Sequence, residues 1–225
     1  MTKSEQQPLV ARLLAVDSCA VSDALDSLGL APAVIGLSPL TVKRRIAGPA
    51  VTVKLGPEAP SRGSARHLGT AAIEAARPGD VIVIEHSSGI QCAGWGGVLS
   101  SGAQLAGVVA VVIDGPARDI DEARALQFPV FGRQANARTA RGRVYEQDFN
   151  CPVEIGEVTV EPGDITLADS SGVVFVPGGR LAEVVRRAER IAEKERLMVA
   201  ALRKGERITE VVGRDYETML DKLDD

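Results

Sequence analysis

The apolar residues of the chain follow two different spacings, one typical of helices and one typical of buried strands. In the segment CAVSDALDSLG, Val21, Leu25 and Leu28 fall on one helical face, and Gly29 is a common helix terminator. Similar patterns predict further helices over about residues 8–15, 67–76, 98–106, 121–126 and 181–202.

Continuous apolar runs predict strands that are covered on both faces. Residues 81–84 and 108–113 are such runs, and residues 45–56 and 172–177 are two further predicted strands. The turn sequence Pro-Gly-Asp precedes apolar residues twice, which suggests a duplicated β-unit. Because no linker-like or low-complexity segment divides the chain, we predict one α/β domain of mixed β and α layers over residues 1–225.

Composition and charge exclude several classes of function. The chain has 225 residues, of which 45% are hydrophobic, and this is enough for one sizeable core. A net charge of −4 leaves no basic excess for nucleic acid. The first residues carry no secretory pattern, and no apolar run is long enough to span a bilayer. We therefore expect a soluble cytoplasmic protein that binds neither nucleic acid nor membranes.

The glycine-rich segment AGWGGVL, residues 93–99, precedes one of the predicted helices. A glycine-rich turn that opens a helix presents free backbone N–H groups, and the helix dipole adds partial positive charge there. The segment is therefore suited to binding a carboxylate. Such turns are more often simple packing turns, so the sequence leaves both interpretations open.

Arg118 and Asp119 follow the second buried run, at the edge where α/β sheets usually bind ligands. An arginine can hold a carboxylate or a developing oxyanion, and an aspartate offers oxygen to a hard divalent cation such as Mg²⁺. The alternative is an ordinary ion pair in a surface turn.

Several spaced segments together resemble the RraA-like family, which includes the class II 4-hydroxy-4-methyl-2-oxoglutarate aldolases. The resemblance covers about residues 20–177 in family order, and a C-terminal helix at about residues 181–202 also fits. The segments that carry it are VSDALDSLG, AGPAVTV, RPGDVIVIE, GWGGVLSSGAQLAGVVAVVIDGPARDIDEARALQFPVF and VEPGDITLADSSGVVFVP. The resemblance implies a swivelling β/β/α-type fold with N-terminal helices and a C-terminal helix. It also implies a homotrimer or a dimer of trimers, with sites at subunit interfaces.

The resemblance implies a divalent-metal lyase that acts on pyruvyl-containing oxo acids. Such aldolases cleave 4-hydroxy-4-methyl-2-oxoglutarate or 4-carboxy-4-hydroxy-2-oxoadipate to pyruvate and a second oxo acid, and they often decarboxylate oxaloacetate. Carried over to this chain, Asp119 would bind Mg²⁺ or Mn²⁺ and Arg118 would contact the keto or enolate oxygen. The backbone of three consecutive residues would hold the pyruvyl carboxylate: Gly97, Val98 and Leu99.

The chain departs from the aldolase pattern at Gly97, where active aldolases carry an acidic residue. That carboxylate holds water molecules that coordinate the metal, one of which serves in proton transfer. Retro-aldol cleavage needs a base, whereas decarboxylation of oxaloacetate chiefly needs an electron sink. We therefore predict that Gly97 weakens aldolase activity more than decarboxylase activity. The resemblance also raises Glu195 as a contribution from an adjacent subunit, although by default it is a solvated helix charge.

Two other functions remain as alternatives. Members of the family that inhibit RNase E lack the metal-binding aspartate, so the presence of Asp119 favours an enzyme over a regulatory protein that acts through protein contacts. A methyltransferase activity is also attributed to the family, but no convincing glycine-rich nucleoside-binding loop supports it here.

Overall fold

The computed structural model describes residues 3–59, 66–86 and 88–213. Its α-helices are α1 (Lys3–Leu13), α2 (Ser18–Ser27), α3 (Thr70–Ala75), α4 (Gly97–Leu105), α5 (Ile120–Ala125), α6 (Leu181–Arg203) and α7 (Ile208–Val211). Its strands are β1 (Ser38–Pro39), β2 (Ile46–Gly56), β3 (Val81–Glu85), β4 (Ala110–Ala117), β5 (Val130–Ala135), β6 (Tyr145–Phe149), β7 (Val153–Ile155), β8 (Val158–Val160), β9 (Ile165–Ala168) and β10 (Val173–Val176).

Every predicted helix is present, but two of them begin at other residues than expected. Helix α1 begins before Pro8 and contains it, although proline was expected at its start. The helix tolerates the missing amide because its apolar side packs against the core formed with α2 and α6. Helix α3 begins only at Thr70, since Gly69 has a φ of 78° that a right-handed helix does not accommodate.

Strand β2 organises the sheet because its two halves pair with different neighbours. Residues 46–49 pair antiparallel with β9, whereas residues 50–54 pair parallel with β3. The parallel strands then continue through β4 to β5, and β10 follows β9 on the other side. The prediction of a mixed α/β fold with helices at both ends of the chain is therefore confirmed.

Three apolar clusters cover the strands. One lies between the parallel strands and the layer of α3, α4 and α5, and a second lies between the same strands and β7 to β10. The third packs α1, α2 and α6 on β9 and β10. Both faces of β3 and β4 are consequently buried, as their continuous apolar runs predicted. No helix in the described part of the chain has the length and apolarity that crossing a membrane would require.

The two Pro-Gly-Asp turns have the same local structure. The Arg77 amide donates to Asp80 Oδ2 at 2.9 Å, and the Glu161 amide donates to Asp164 Oδ2 at 2.9 Å. The turns lead into β3 and β9, which flank β2 at neighbouring positions but run in opposite directions. The duplication itself stays a prediction.

The structure differs most from the sequence prediction in two places. Strand β4 continues to Ala117, four residues past its expected end, with an irregularity in its pairing to β5 between Ile113 and Pro116. Strands β6, β7 and β8 were not predicted, because they are short and each exposes polar side chains.

Candidate functional site

A cleft of about 350 Å³ opens at the carboxyl end of β4, between the start of α4 and the loop that follows β5. Its walls come from four stretches of the chain: His67 and Leu68; Ala93 and Trp95 to Leu99; Arg118 and Asp119; and Thr139 to Arg141. The two segments that the sequence singled out, the glycine-rich turn and Arg118-Asp119, are therefore brought together.

Backbone hydrogen bonds join the glycine-rich turn to the end of β4. The Gly94 amide donates to Pro116 O at 3.0 Å, and the Arg118 amide donates to Trp95 O at 2.9 Å. The buried Trp95 side chain holds the turn against α4, since its Nε1 donates to Ser100 Oγ at 2.9 Å. The cleft floor is thus a rigid part of the fold.

Asp119 is the residue immediately before α5, and its backbone has left-handed geometry with a φ of 55°. This conformation is uncommon for a residue with a side chain, although aspartate tolerates it better than most. It turns the carboxylate towards α4, where Oδ2 accepts the Gly97 amide at 2.9 Å. Oδ2 also lies 3.2 Å from Arg118 Nε. A Cβ atom at Gly96 would lie 2.7 Å from the same oxygen, so glycine permits this close approach.

The Asp119 and Arg118 side chains keep polar atoms available to a ligand. Asp119 Oδ1 accepts no hydrogen bond from any residue that the structure describes. Within the same described residues, the two terminal nitrogens of Arg118 donate none. A carboxylate oxygen and a guanidinium edge therefore both remain for binding in one cleft.

The three residues predicted to hold a carboxylate form the first turn of α4. The amides of Val98 and Leu99 have no acceptor within the helix, because the first amides of any helix lack one. The Gly97 amide is already taken by Asp119. Two of the three predicted amides are thus available to an anion in this arrangement, supported by the positive end of the helix dipole.

Two of the cleft residues that the sequence did not indicate have side chains that can carry charge, His67 and Arg141. Arg141 belongs to the basic sequence RTARGR, which follows β5 without any strand or helix pattern. Its charge was visible in the sequence, but only the fold brings it opposite α4. The cleft therefore contains two arginines, which favour a ligand with more than one negative charge.

Glu195 lies on α6 and is not among the residues that line the cleft of its own chain. Partial burial, together with the negative charges of Asp17 and Asp23, raises the pKa of Glu195. Its predicted role therefore requires a second copy of the chain and stays a prediction.

The Asp119 carboxylate in the cleft suits a cation that takes few protein ligands. Within residues 3–59, 66–86 and 88–213, no three His, Cys, Asp or Glu side chains converge in a way that could hold a metal ion. Mg²⁺ commonly keeps several waters and binds through one or two carboxylates. The free Oδ1 of Asp119 fits that requirement, whereas a zinc site with four protein ligands does not.

Comparisons with known proteins point to a family and a fold. The family model RraA-like, Aldolase/RraA, matches residues 18–175. The chain is 32% identical over 217 residues to Protein DlpA of Legionella pneumophila, and the match covers 96% of this chain but only 35% of DlpA. It therefore spans about a third of that relative's length.

A second relative and a solved structure match this chain over most of the length of both proteins. Over 180 residues the chain is 32% identical to "Putative 4-hydroxy-4-methyl-2-oxoglutarate aldolase" of Halalkalibacterium halodurans, covering 78% of this chain and 79% of the relative. The fold matches RraAS2 of Streptomyces coelicolor, an unusual member of the RNase ES inhibitor RraA protein family, with a TM-score of 0.74 and 27% identity. That match covers 84% of this chain and 94% of RraAS2.

Proposed function

This chain belongs to the RraA-like family, and from that premise we propose that it is a divalent-metal-dependent lyase that cleaves carbon–carbon bonds in pyruvyl-containing oxo acids. The reactions proposed are retro-aldol cleavage of 4-hydroxy-4-methyl-2-oxoglutarate or a close analogue and decarboxylation of oxaloacetate. One observation carries the proposal: Asp119 Oδ1, the Arg118 guanidinium and the first amides of α4 are available in a single cleft. The name of the Halalkalibacterium relative supports the same chemistry.

The cleft suits substrates with two carboxylates. The Val98 and Leu99 amides would hold the C1 carboxylate, while Arg118 would contact the C2 keto oxygen and stabilise the enolate charge that forms there. Arg141, on the opposite wall, would pair with the far carboxylate. These contacts orient the bond to be broken and neutralise the charge that its electrons carry to the keto oxygen.

Asp119 would hold the metal, Mg²⁺ or Mn²⁺. Its Oδ1 is free for this purpose, and its Oδ2 is fixed by the Gly97 amide, so the carboxylate is already oriented before a cation arrives. The bound cation would supply Lewis acidity towards the keto oxygen. Arg118, next to Asp119, would then act on the same oxygen.

We also propose that the protein assembles as a homotrimer or a dimer of trimers, with a second copy of the chain beside the cleft. Two residues of α4 support this. Val98 and Leu105 are 85% and 90% exposed, and their spacing of seven residues places them on one helix face. An adjacent subunit would cover them and bring its Glu195 towards the site. Mass measured by light scattering at micromolar concentration tests the assembly.

The experiment that tests the function is pyruvate release from oxaloacetate, with and without Mg²⁺ or Mn²⁺, in the wild type, Asp119→Ala and Arg118→Ala. We expect metal-dependent turnover that falls about a hundredfold or more in each variant, since each loses a group that stabilises the developing charge. A control without enzyme is needed because free metal ions decarboxylate oxaloacetate slowly. Turnover no higher than in this control would contradict the proposal and favour a non-catalytic regulatory role.

Gly97→Asp tests the effect of the departure from the aldolase pattern. If the missing acid limits proton transfer, this variant gains retro-aldol activity relative to its decarboxylase activity. Equal ratios of the two activities in the wild type and the variant would contradict that prediction.

A further inference from the structure

His67 lines the cleft and has no part in the contacts proposed so far. It lies two residues before Gly69, in the segment that leads into α3. A Cβ atom built on Gly69 would lie 3.0 Å from Trp95 Cζ3 and 3.7 Å from Leu99 Cδ1. The segment therefore packs against the glycine-rich turn and the first turn of α4, where the C1 carboxylate of the substrate would bind.

The backbone around His67 is held in place, although the side chain is exposed. The carbonyl oxygen of His67 accepts the Thr70 amide at 3.2 Å and the Thr70 hydroxyl at 2.7 Å. The Gly69 amide donates to Glu146 Oε2 at 2.6 Å, which ties the segment to β6. The imidazole consequently extends from a fixed part of the cleft wall.

The His67 imidazole differs from that of the second histidine, His86. The two ring nitrogens of the buried His86 lie 2.8 Å from Cys92 O and 3.3 Å from Ser88 Oγ. The imidazole of His67 forms no hydrogen bond and no ion pair with any residue that the structure describes. His67 is therefore free to exchange a proton with a ligand, whereas His86 is held within the fold.

Four side chains that can ionise line the cleft in the described part of the chain: His67, Arg118, Asp119 and Arg141. The two guanidinium groups stay protonated in proteins, and Asp119 is the group assigned to the cation. An imidazole both accepts and releases a proton near neutral pH. His67 is thus the lining side chain suited to carry a proton in a cleft whose position 97 has no acid.

We propose that His67 is the proton carrier of the retro-aldol reaction. The inference rests on the proposed function, since it assumes that the substrate binds in this cleft. The neutral imidazole takes the proton of the C4 hydroxyl as the bond between C3 and C4 breaks, and the electron pair of that bond forms the enolate of pyruvate. The hydroxyl oxygen becomes the carbonyl oxygen of the second oxo acid. The imidazolium then returns the proton to C3, which yields pyruvate and a neutral imidazole.

Decarboxylation of oxaloacetate is the internal control, because this substrate has no hydroxyl proton to remove. Its bond between C3 and C4 breaks with release of CO₂ and leaves the same enolate. A side chain that only binds or orients the substrate would affect both reactions. A proton carrier affects cleavage and the protonation of C3, but it does not affect the release of CO₂.

The test compares His67→Gln with the wild type in four measurements, since glutamine is polar but cannot carry a proton. We expect kcat for cleavage of 4-hydroxy-4-methyl-2-oxoglutarate to fall about a hundredfold. Exchange of the pyruvate C3 protons with D₂O, followed by NMR, should fall by a similar factor. The rate of CO₂ release from oxaloacetate and the affinity for Mn²⁺ should each change less than about twofold, which also shows that the variant is folded.

Arg66→Gln is the matched control. Arg66 is the exposed neighbour of His67 and is not among the residues that line the cleft. Removing its charge should leave the ratio of cleavage to CO₂ release within about twofold of the wild-type ratio. A ratio that falls as far as in His67→Gln would overturn the specific role of His67.

The four measurements separate failure of this inference from failure of the proposed function. Cleavage and exchange that are unchanged in His67→Gln overturn the role of His67 and leave the function standing. A parallel fall of cleavage and CO₂ release, or a loss of Mn²⁺ affinity, does the same, because it indicates a contact with substrate or metal. A wild type that releases CO₂ but neither cleaves nor exchanges also overturns only this role. A wild type without any of the three activities overturns both.

Discussion

Asp119 and Asp169 each lie within two residues of the end of a strand, β4 and β9, yet the surroundings of their side chains differ. The side chain of Asp169 is 11% exposed, and its two oxygens accept the Ser18 amide at 2.9 Å, the Ser18 hydroxyl at 2.6 Å and the Ser171 amide at 2.9 Å. The side chain of Asp119 is 31% exposed and leaves one oxygen without a donor among the described residues.

The difference shows how the same residue type serves two purposes. Asp169 joins the start of α2 to the turn between β9 and β10, so both of its oxygens accept hydrogen bonds within the fold. Burial by itself raises the pKa of Asp169, but the hydrogen bonds from Ser18 and Ser171 and the nearby Arg45 outweigh burial and lower it.

Replacing each aspartate by alanine should lower the free energy of unfolding by different amounts. We expect Asp169→Ala to lower the free energy of unfolding by roughly 3 kcal/mol, because it leaves buried donors without an acceptor. Asp119→Ala should cost less, about 1 kcal/mol, since the Gly97 amide that loses its acceptor lines the open cleft, where water can replace the carboxylate. Urea unfolding of both variants checks this. A larger loss of unfolding free energy in Asp119→Ala than in Asp169→Ala would contradict this difference between the two aspartates.

Arg141→Ala tests whether the cleft binds the second carboxylate of the substrate. If Arg141 binds the far carboxylate of the substrate, its loss should raise KM about tenfold, which equals about 1.4 kcal/mol, with kcat changed less than about twofold. Arg138→Ala is the control, because Arg138 lies nearby in the sequence but does not line the cleft. A fall in kcat without a change in KM would assign Arg141 to the chemical step instead.

Acid should weaken the hydrogen bonds that the Asp169 carboxylate accepts from Ser18 and Ser171. The pKa of Asp169 is lower in the folded chain than in the unfolded one, so its carboxylate stabilises the fold fully above about pH 5 and loses this contribution as the pH falls through the folded pKa. The difference in unfolding free energy between the wild type and Asp169→Asn should therefore shrink as the pH falls from 6 to 3. A difference that stays constant with pH would show that the charge is not what matters.

Glu195→Gln should change the free energy of unfolding least, and it should raise this free energy where Asp169→Asn lowers it. Because the pKa of Glu195 is raised, its ionised form destabilises the chain above the unfolded pKa of about 4.3, and the cost disappears below it. The variant should gain less than about 1 kcal/mol at pH 7 and nothing at pH 4. Unfolding curves at the two pH values check this, and a loss of stability at pH 7 would indicate a favourable partner for Glu195.

The sequence predicted the central strands and the meeting of Arg118 and Asp119 with the glycine-rich turn because these signals are local. The apolar runs of β3 and β4 are unbroken, and Arg118 and Asp119 follow the end of β4. Arg141 was missed because it reaches the cleft through an irregular loop, where no local sequence pattern marks it. The extension of β4 to Ala117 was missed because Gly115 and Pro116 interrupt its apolar pattern.

The most direct test of the central claim is Mn²⁺ binding in the presence and absence of oxalate, a planar dianion that resembles the pyruvate enolate. We expect oxalate to tighten Mn²⁺ binding in the wild type. We expect Asp119→Asn to abolish binding of the metal. Arg118→Ala should keep most of the Mn²⁺ affinity and lose most of the oxalate effect. Mn²⁺ binding that is absent from the wild type, or indifferent to both substitutions, would contradict the claim that this cleft is a metal-dependent oxo-acid site.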